Sequence, residues 1–216
     1  MGNNNLIRRG YDNLLNRFSD SLNSLEGVSR RLGVRSIDRE DGLVLASLSY
    51  YVAMLDGRVF IDAGAGVGYS TSWILYGIMR TVPQEKIFLY AVERDFHRYK
   101  YLKENVERMR DLLFGEGSLL ELSILNSDVI GFLEKNLEID MIFVDIDKRQ
   151  YIDVLRILPK KLSRIGIGIF HNIIIPGLDE KAREFLEKQN QLSYHLIPTS
   201  LGLLIVKRAA QNSANL

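Results

Sequence analysis

Three glycines at alternate positions behind an acidic residue constrain this chain more than any other feature: Asp62-Ala63-Gly64-Ala65-Gly66-Val67-Gly68. Before them, Val59-Phe60-Ile61 is β-branched or aromatic and ends at turn residues, which predicts a buried strand. After them, Ser70-Thr71-Ser72 opens an apolar stretch with helical spacing, so hydroxyl caps stand where a helix should start. Strand, glycine turn and helix in this order present backbone N–H groups and a helix N-terminus to a ligand at the edge of an open parallel sheet. Glycine suits the turn because a Cβ would block close approach or forbid positive φ. A turn that binds nothing has no need of three residues whose ordering costs extra backbone entropy, so a bound ligand is the better reading.

The spacing narrows the ligand. A dinucleotide fingerprint requires G-x-G-x-x-G, whereas this series is Gly64-x-Gly66-x-Gly68, with Tyr69 where the third glycine would fall. A phosphate-cradling G-x-x-x-x-G-K-[ST] loop is absent. The acid-x-Gly-x-Gly-x-Gly pattern resembles instead the nucleoside-binding motif of S-adenosylmethionine-dependent methyltransferases with the Rossmann-like fold.

At 216 residues, 46% hydrophobic and 25% charged, the chain suits one globular α/β domain with a full core. A net charge of +1, from 28 basic and 27 acidic side chains, leaves no footprint for a nucleic-acid backbone. Cysteine is absent, which removes disulfides, thiolate metal sites and cysteine nucleophiles. There is no apolar signal core at the start and no run near the roughly 20 apolar residues that would span a membrane. The cytoplasm is the simplest compartment.

Residues 1–37 form a helical extension, with Leu6, Ile7, Tyr11, Leu14, Leu15, Phe18, Leu22 and Leu25 in a helical stripe. One or two amphipathic helices covering the sheet, or meeting a partner subunit, are expected there. Ser36 or Asp38 could cap the next helix, which runs to the turn Asp56-Gly57. After the glycine motif, a helix from Trp73 to Val82 should stop near Pro83. Ile87 to Val92 is an apolar strand ending at Glu93, placed where such folds hydrogen-bond a ribose diol. Further strands are expected at Glu121–Leu125, Met141–Val144 and Ile165–Phe170, then at Leu192–Ile197 and Leu203–Lys207. Helices fall between them at 95–113, 129–137, around Tyr151, and at 179–189. Asp128 is placed to accept from an adenine amino group, to cap its helix, or to do both. The sum is one α/β domain: a Rossmann-like αβα sandwich with a seven-stranded, mostly parallel sheet carrying one antiparallel strand, plus N-terminal helices.

From about Ile37 to Arg208 the chain resembles the catechol and caffeoyl-CoA type of O-methyltransferase, often called family 3. Asp41-Gly42 sits where those proteins carry Glu-Gly, and Gly68-Tyr69-Ser70 matches their Gly-Tyr-Ser. Ser127-Asp128 resembles their Gly-Asp-Ala adenine loop. Phe143-Val144-Asp145-Ile146-Asp147-Lys148-x-x-Tyr151 is very close to their Phe-(Ile/Val)-Asp-Ala-Asp-Lys-x-x-Tyr, and Leu201-Gly202-Leu203 resembles their final Gly-Leu strand. The resemblance divides the chain into an extension (1–37), an S-adenosylmethionine-dependent methyltransferase domain (38–208) and a frayed tail (209–216). It implies S-adenosylmethionine held by Asp62, Gly64, Ala65, Gly66, Gly68, Tyr69, Ser70, Glu93, Ser127, Asp128 and Asp145. It further implies methyl transfer to a hydroxyl of a catechol-like or other small acceptor, with Lys148 as general base beside Asp145 and His171, and a homodimer.

The resemblance also implies a divalent cation, Mg²⁺ or Mn²⁺, on Asp145, His171 and Asn172. His171 departs from the pattern, because the family has aspartate there. Loss of a carboxylate should weaken Mg²⁺, which prefers hard oxygen ligands, while imidazole suits Mn²⁺, Fe²⁺ or Zn²⁺. Asp147 could supply the missing charge, or the site is metal-free and His171 is the base. Lys148 could instead be salt-bridged to Asp147, and Tyr151 reads as packing or a pocket wall. Other readings are an RNA or protein methyltransferase of the same fold, and a non-catalytic cofactor-binding module with a decayed metal site.

Overall fold

The computed structural model describes residues 2–79, 81, 85–115, 117–135 and 137–210, the first ten of these as backbone only. The helix stop expected at Pro83 and most of the expected tail lie outside the described residues, as do the side chains of Leu6, Ile7 and Tyr11.

Two helices come first, α1 (Gly2–Arg31) and α2 (Arg39–Met54). Asp38, rather than Ser36, caps α2 by accepting from the Asp41 N–H, while the Ser36 hydroxyl turns to Ser29. There follow β1 (Val59–Ala63), α3 (Tyr69–Ile78), β2 (Ile87–Glu93), α4 (Phe96–Leu113) and β3 (Leu120–Asn126). Next are α5 (Val129–Leu133), β4 (Ile139–Val144), α6 (Tyr151–Lys161) and β5 (Leu162–His171), and last α7 (Glu180–Lys188), β6 (Leu192–Ile197) and β7 (Leu203–Arg208). The strands form a seven-stranded sheet in the order β3-β2-β1-β4-β5-β7-β6. Only β7 runs against the rest, paired antiparallel to both β5 and β6.

The central strands read as unbroken apolar runs because both of their faces are covered. Successive side chains alternate between the faces. Phe60, Leu89, Met141, Phe143 and Ile169 meet α1 to α4, while Ile61, Val92, Ile142, Val144 and Phe170 meet α5 to α7. The amino ends of three strands are tied by one carboxylate. Asp140 accepts from the backbone N–H of Arg58 and Val59 on Oδ2 and from the Ser163 hydroxyl on Oδ1. This explains why β5 begins at Leu162 and not at Ile165: Leu162-Ser163-Arg164 is too polar to read as a strand, but Leu162 pairs with Ile139.

Most of the amino-terminal extension is one helix, α1, and the carboxyl-terminal part of its apolar stripe is in the core. Phe18, Leu22 and Leu25 are buried, each contributing roughly 1.5–3 kcal/mol through burial. Phe18 stacks on Tyr76 at 4.4 Å between ring centroids and meets Trp73 edge-on at 5.2 Å. Beneath this contact α2 and α3 press closely together. A Cβ on Gly77 would come within 2.2 Å of the Ala46 carbonyl oxygen, and one on Gly42 within 2.3 Å of the Trp73 indole. Backbone cannot yield as a flexible side chain does, so Gly77→Ala is expected to destabilise the protein by about 2 kcal/mol. Urea denaturation checks this, and an unchanged midpoint would mean the two helices are free to slide apart.

Candidate functional site

Strand order decides where a ligand can sit. The connections turn in opposite directions on either side of the β1/β4 boundary, and such switch points open a crevice at the carboxyl ends of the strands. A cleft of about 1250 Å³ lies there. Gly64, Ala65, Gly66 and Ser70 line it below, Glu93 and Asp128 on one side, and Asp145, Lys148, His171 and Asn172 on the other. Residues from the end of α1 to the start of α2, Ser29 and Val34 to Asp38 among them, form the remaining wall.

The glycine turn is shaped by close approach. Gly64, Gly66 and Gly68 all have positive φ, and a Cβ on Gly64 would lie 2.3 Å from the Asp145 carbonyl oxygen. The turn is tied to the tip of β2: the Gly66 N–H donates to Glu93 Oε2 at 2.9 Å, and the Gly64 and Ala65 N–H groups donate to the Val92 carbonyl. Glu93 is buried, with Oε1 accepting from the Asp95 N–H. Asp95 alone caps α4, so Glu93 is not a surface cap. Asp128 caps α5 through Oδ1, accepting from Ile130 and Gly131, and also lines the cleft.

The hydroxyls after the glycines do not cap α3, whose N-cap is Gly68 in the left-handed conformation. Ser70 and Thr71 instead donate to Asp62 Oδ2, and Ser72 donates back to the Gly68 carbonyl. Asp62 is fully buried, and its Oδ1 has no hydrogen-bond partner among the described residues. Its carboxyl is raised to about 7: burial and, less strongly, the nearby charges of Asp145 and Glu93 push it up, against the pull of the two hydroxyls.

On the opposite side six side chains interlock: Lys148, Asp145, Asn172, Tyr151, His171 and Asp41. The Lys148 ammonium lies 3.2 Å from Asp145 Oδ1, 3.2 Å from Asn172 Oδ1, 3.0 Å from the His171 carbonyl oxygen and 2.6 Å from the Tyr151 hydroxyl. Burial lowers its pKa, against the pull of Asp145. His171 Nε2 is 2.9 Å from Asp41 Oδ2. Its Nδ1 is 3.2 Å from Asp145 Oδ2, an ion-pair contact whose angle misses that of a hydrogen bond. Burial opposes the charged ring, but Asp145 and Asp41 together raise it to about 9. Burial likewise works to raise Asp145, and His171 and Lys148 hold it below the ordinary carboxylate range. Asp41 is itself fully buried, and its Oδ1 accepts from the Thr199 hydroxyl.

No family model matches the sequence, and no curated protein sequence matches it. Solved structures do. A methyltransferase from Geobacter sulfurreducens superposes with a TM-score of 0.69 at 20% identity, over 88% of this chain and 89% of that one. An O-methyltransferase from Bacillus cereus in complex with SAH gives 0.67 at 17%, over 87% and 90%. The O-methyltransferase TomG from Streptomyces achromogenes, in complex with SAM, gives 0.68 at 15%, over 88% and 90%. The chain has a Rossmann-like methyltransferase fold.

Within that methyltransferase fold, Gly64, Ala65, Gly66, Tyr69, Ser70, Glu93, Asp128 and Asp145 line the cleft, with Lys148, His171 and Asn172 beside them. Asp62, Gly68 and Ser127 are not among its lining residues. A Cβ on Gly68 would meet Val106 on α4 at 2.6 Å, so this glycine serves helix packing. The Tyr69 hydroxyl donates to Glu26 of α1, and burial with that carboxylate beside it pushes the phenol up to about 12. Asp147 lines the cleft as well, but its carboxylate pairs with Arg149 and not with Lys148. Tyr151 is fully buried and braces the Val144 and His171 carbonyls. Two features escaped the sequence reading as parts of the site: the 29–38 wall, and Asp41 as a partner of His171. Nothing local marks Asp41 beyond an acid in a first helical turn.

Asp62 gives a pH test. A carboxyl raised to about 7 in the fold stabilises when protonated. That contribution is complete below the unfolded pKa and lost as pH rises through the folded one. Thermal melts of wild type and Asp62→Asn between about pH 5 and about pH 8 should show the wild type losing Tm relative to the variant as pH rises. Parallel curves would mean that Asp62 stays ionised.

Proposed function

We propose that this protein is an S-adenosylmethionine-dependent methyltransferase acting on a hydroxyl oxygen of a small molecule. The observation that carries the reading is the Gly66 N–H bond to Glu93, which joins the glycine turn and a ribose-binding acid into one wall of the cleft. The solved structures of the same fold include complexes with SAH and SAM.

The residues present fit that cofactor. The positive-φ turn at Gly66 has Val34 as its nearest outside neighbour, 3.4 Å from where a Cβ would stand, so a ligand can approach backbone there. Glu93 would take the ribose hydroxyls, its oxygens having lone pairs beyond those given to Gly66 and Asp95. Asp128 would accept from the adenine amino group while capping α5. When bound, the cofactor supplies an electrophilic methyl whose bond to sulfur breaks as the acceptor oxygen forms its own bond to carbon, the electron pair staying on sulfur.

The chain contributes geometry and charge. Holding the acceptor oxygen against the methyl in near-attack geometry supplies much of the rate. The Lys148 ammonium, 22% exposed at the cleft, attracts and orients that oxygen. A hydroxyl beside a fixed positive charge is more acidic. In its resting contacts Lys148 is a donor throughout, an arrangement suited to orienting the oxygen. With a formal net charge of +1, the chain offers little to hold RNA. No described helix is long and apolar enough to cross a membrane. A row of exposed apolar residues on α2, Leu43, Tyr50, Tyr51 and Met54, supports a homodimer.

Calorimetric titration with S-adenosylhomocysteine tests the reading. One site per chain is expected, and a folded sample that binds none would sink it. Glu93→Ala should weaken the affinity about ten- to hundredfold, the scale of hydrogen bonds to a charged group.

A further inference from the structure

The O-methyltransferases that this chain resembles hold a divalent cation on three side chains, and the corresponding residues here are already committed elsewhere. His171 has Nε2 hydrogen-bonded to Asp41, and its Nδ1, though without a hydrogen-bond partner among the described residues, stands 3.2 Å from Asp145 Oδ2 in an ion-pair contact. Asp145 divides its two oxygens between that ring and the Lys148 ammonium. Among the described residues, no group of His, Cys, Asp and Glu is arranged to hold a metal. The donor set therefore does not fit a divalent ion.

What does occupy the converging oxygens is Lys148. Asp145 Oδ1, Asn172 Oδ1 and the His171 carbonyl are hard oxygen donors of the type that Mg²⁺ or Mn²⁺ would use. They come from the end of β4, the end of β5 and the residue after it, and they meet at the ammonium at 3.0–3.2 Å. Those are hydrogen-bond distances, whereas Mg²⁺ would draw its oxygens in to about 2.1 Å. Asn172 is held with φ of +58°, a conformation that Asn tolerates better than most residues and that leaves its side-chain oxygen on the ammonium. Tyr151, fixed beneath by the Val144 and His171 carbonyls, takes the remaining side of the ammonium.

We propose that the Lys148 ammonium is a resident cation standing where the resembling enzymes bind a divalent ion, so that this site works without one. The substitution of histidine for aspartate belongs to the same arrangement: His171 links the buried carboxylate of Asp41 to that of Asp145 and leaves Asp145 Oδ1 for the lysine. An incoming divalent ion would have to expel an ammonium held by four oxygens. The role given to this charge, holding the acceptor oxygen, rests on the methyltransferase reading; its position does not.

The test is a Mn²⁺ titration of the full chain followed by the electron paramagnetic resonance of the free ion, with S-adenosylhomocysteine binding measured on the same samples. Wild type should leave Mn²⁺ free up to millimolar concentration. Lys148→Ala combined with His171→Asp, which empties the position and restores a carboxylate, should bind one Mn²⁺ per chain at least about tenfold tighter. Lys148→Met, close in volume and uncharged, should gain affinity in the same direction if the double variant does not fold. One Mn²⁺ per wild-type chain, lost on Asp145→Asn, would overturn the proposal. So would a folded double variant with no gain in affinity. Failure of wild type to bind S-adenosylhomocysteine would count against the methyltransferase reading alone, because the Mn²⁺ signal does not depend on it.

Discussion

The site depends on how closely the carboxyl ends of β1 and β4 approach each other. Gly64 stands against the Asp145 carbonyl with no room for a Cβ, and the Asp145 N–H donates to the Ala63 carbonyl. This contact brings the glycine turn beside the Asp145–Lys148 loop. From it follow the width of the cleft and the placement of Glu93 opposite Lys148. It also places Asp62 beneath the turn, where hydroxyls that the next helix supplies donate to its carboxyl.

The second constraint is electrostatic. Carboxylates withdrawn from water are costly unless paired, and fully buried Asp41 and partly buried Asp145 are paired through one imidazole and one ammonium. The network reaches from α2 through β5 to the start of α6, and Thr199 before β7 closes it on the far side. It thus fixes four parts of the chain around one cluster of charges. In the methyltransferase reading, such a cluster offers an acceptor oxygen a positive charge that is already in place, with no reorganisation left to be done at the moment of reaction.

The amino-terminal helix joins these two features to substrate access. Its apolar stripe packs on α3 and α4, and its last turn leads into the 29–38 segment that walls the cleft. The stripe was legible as an amphipathic helix because burial of one face leaves a period in the sequence. Its part in the site was not, because a wall is defined by what lies across the cleft from it. The same holds for Ser70 and Thr71. Their position after the glycines fits a helix cap, yet the buried carboxylate one turn below competes successfully for both hydroxyls.

By itself the sequence determined the order of strands and helices, the glycine turn, and the acids that end β1 and β2. Each is a local property: apolar runs, turn residues and caps are written in neighbouring positions. Resemblance added companions to Asp145, and in the structure Lys148 and His171 contact it while Asn172 meets it at the Lys148 ammonium. Only the tertiary structure decided what those companions do. Asp41 meets His171 across 130 positions of chain, and Lys148 turns away from Asp147, two residues from Asp145, into a ring of oxygens from three segments. Charges of this kind choose partners by distance and desolvation, and both are set by the strand order of the sheet, which no local pattern records.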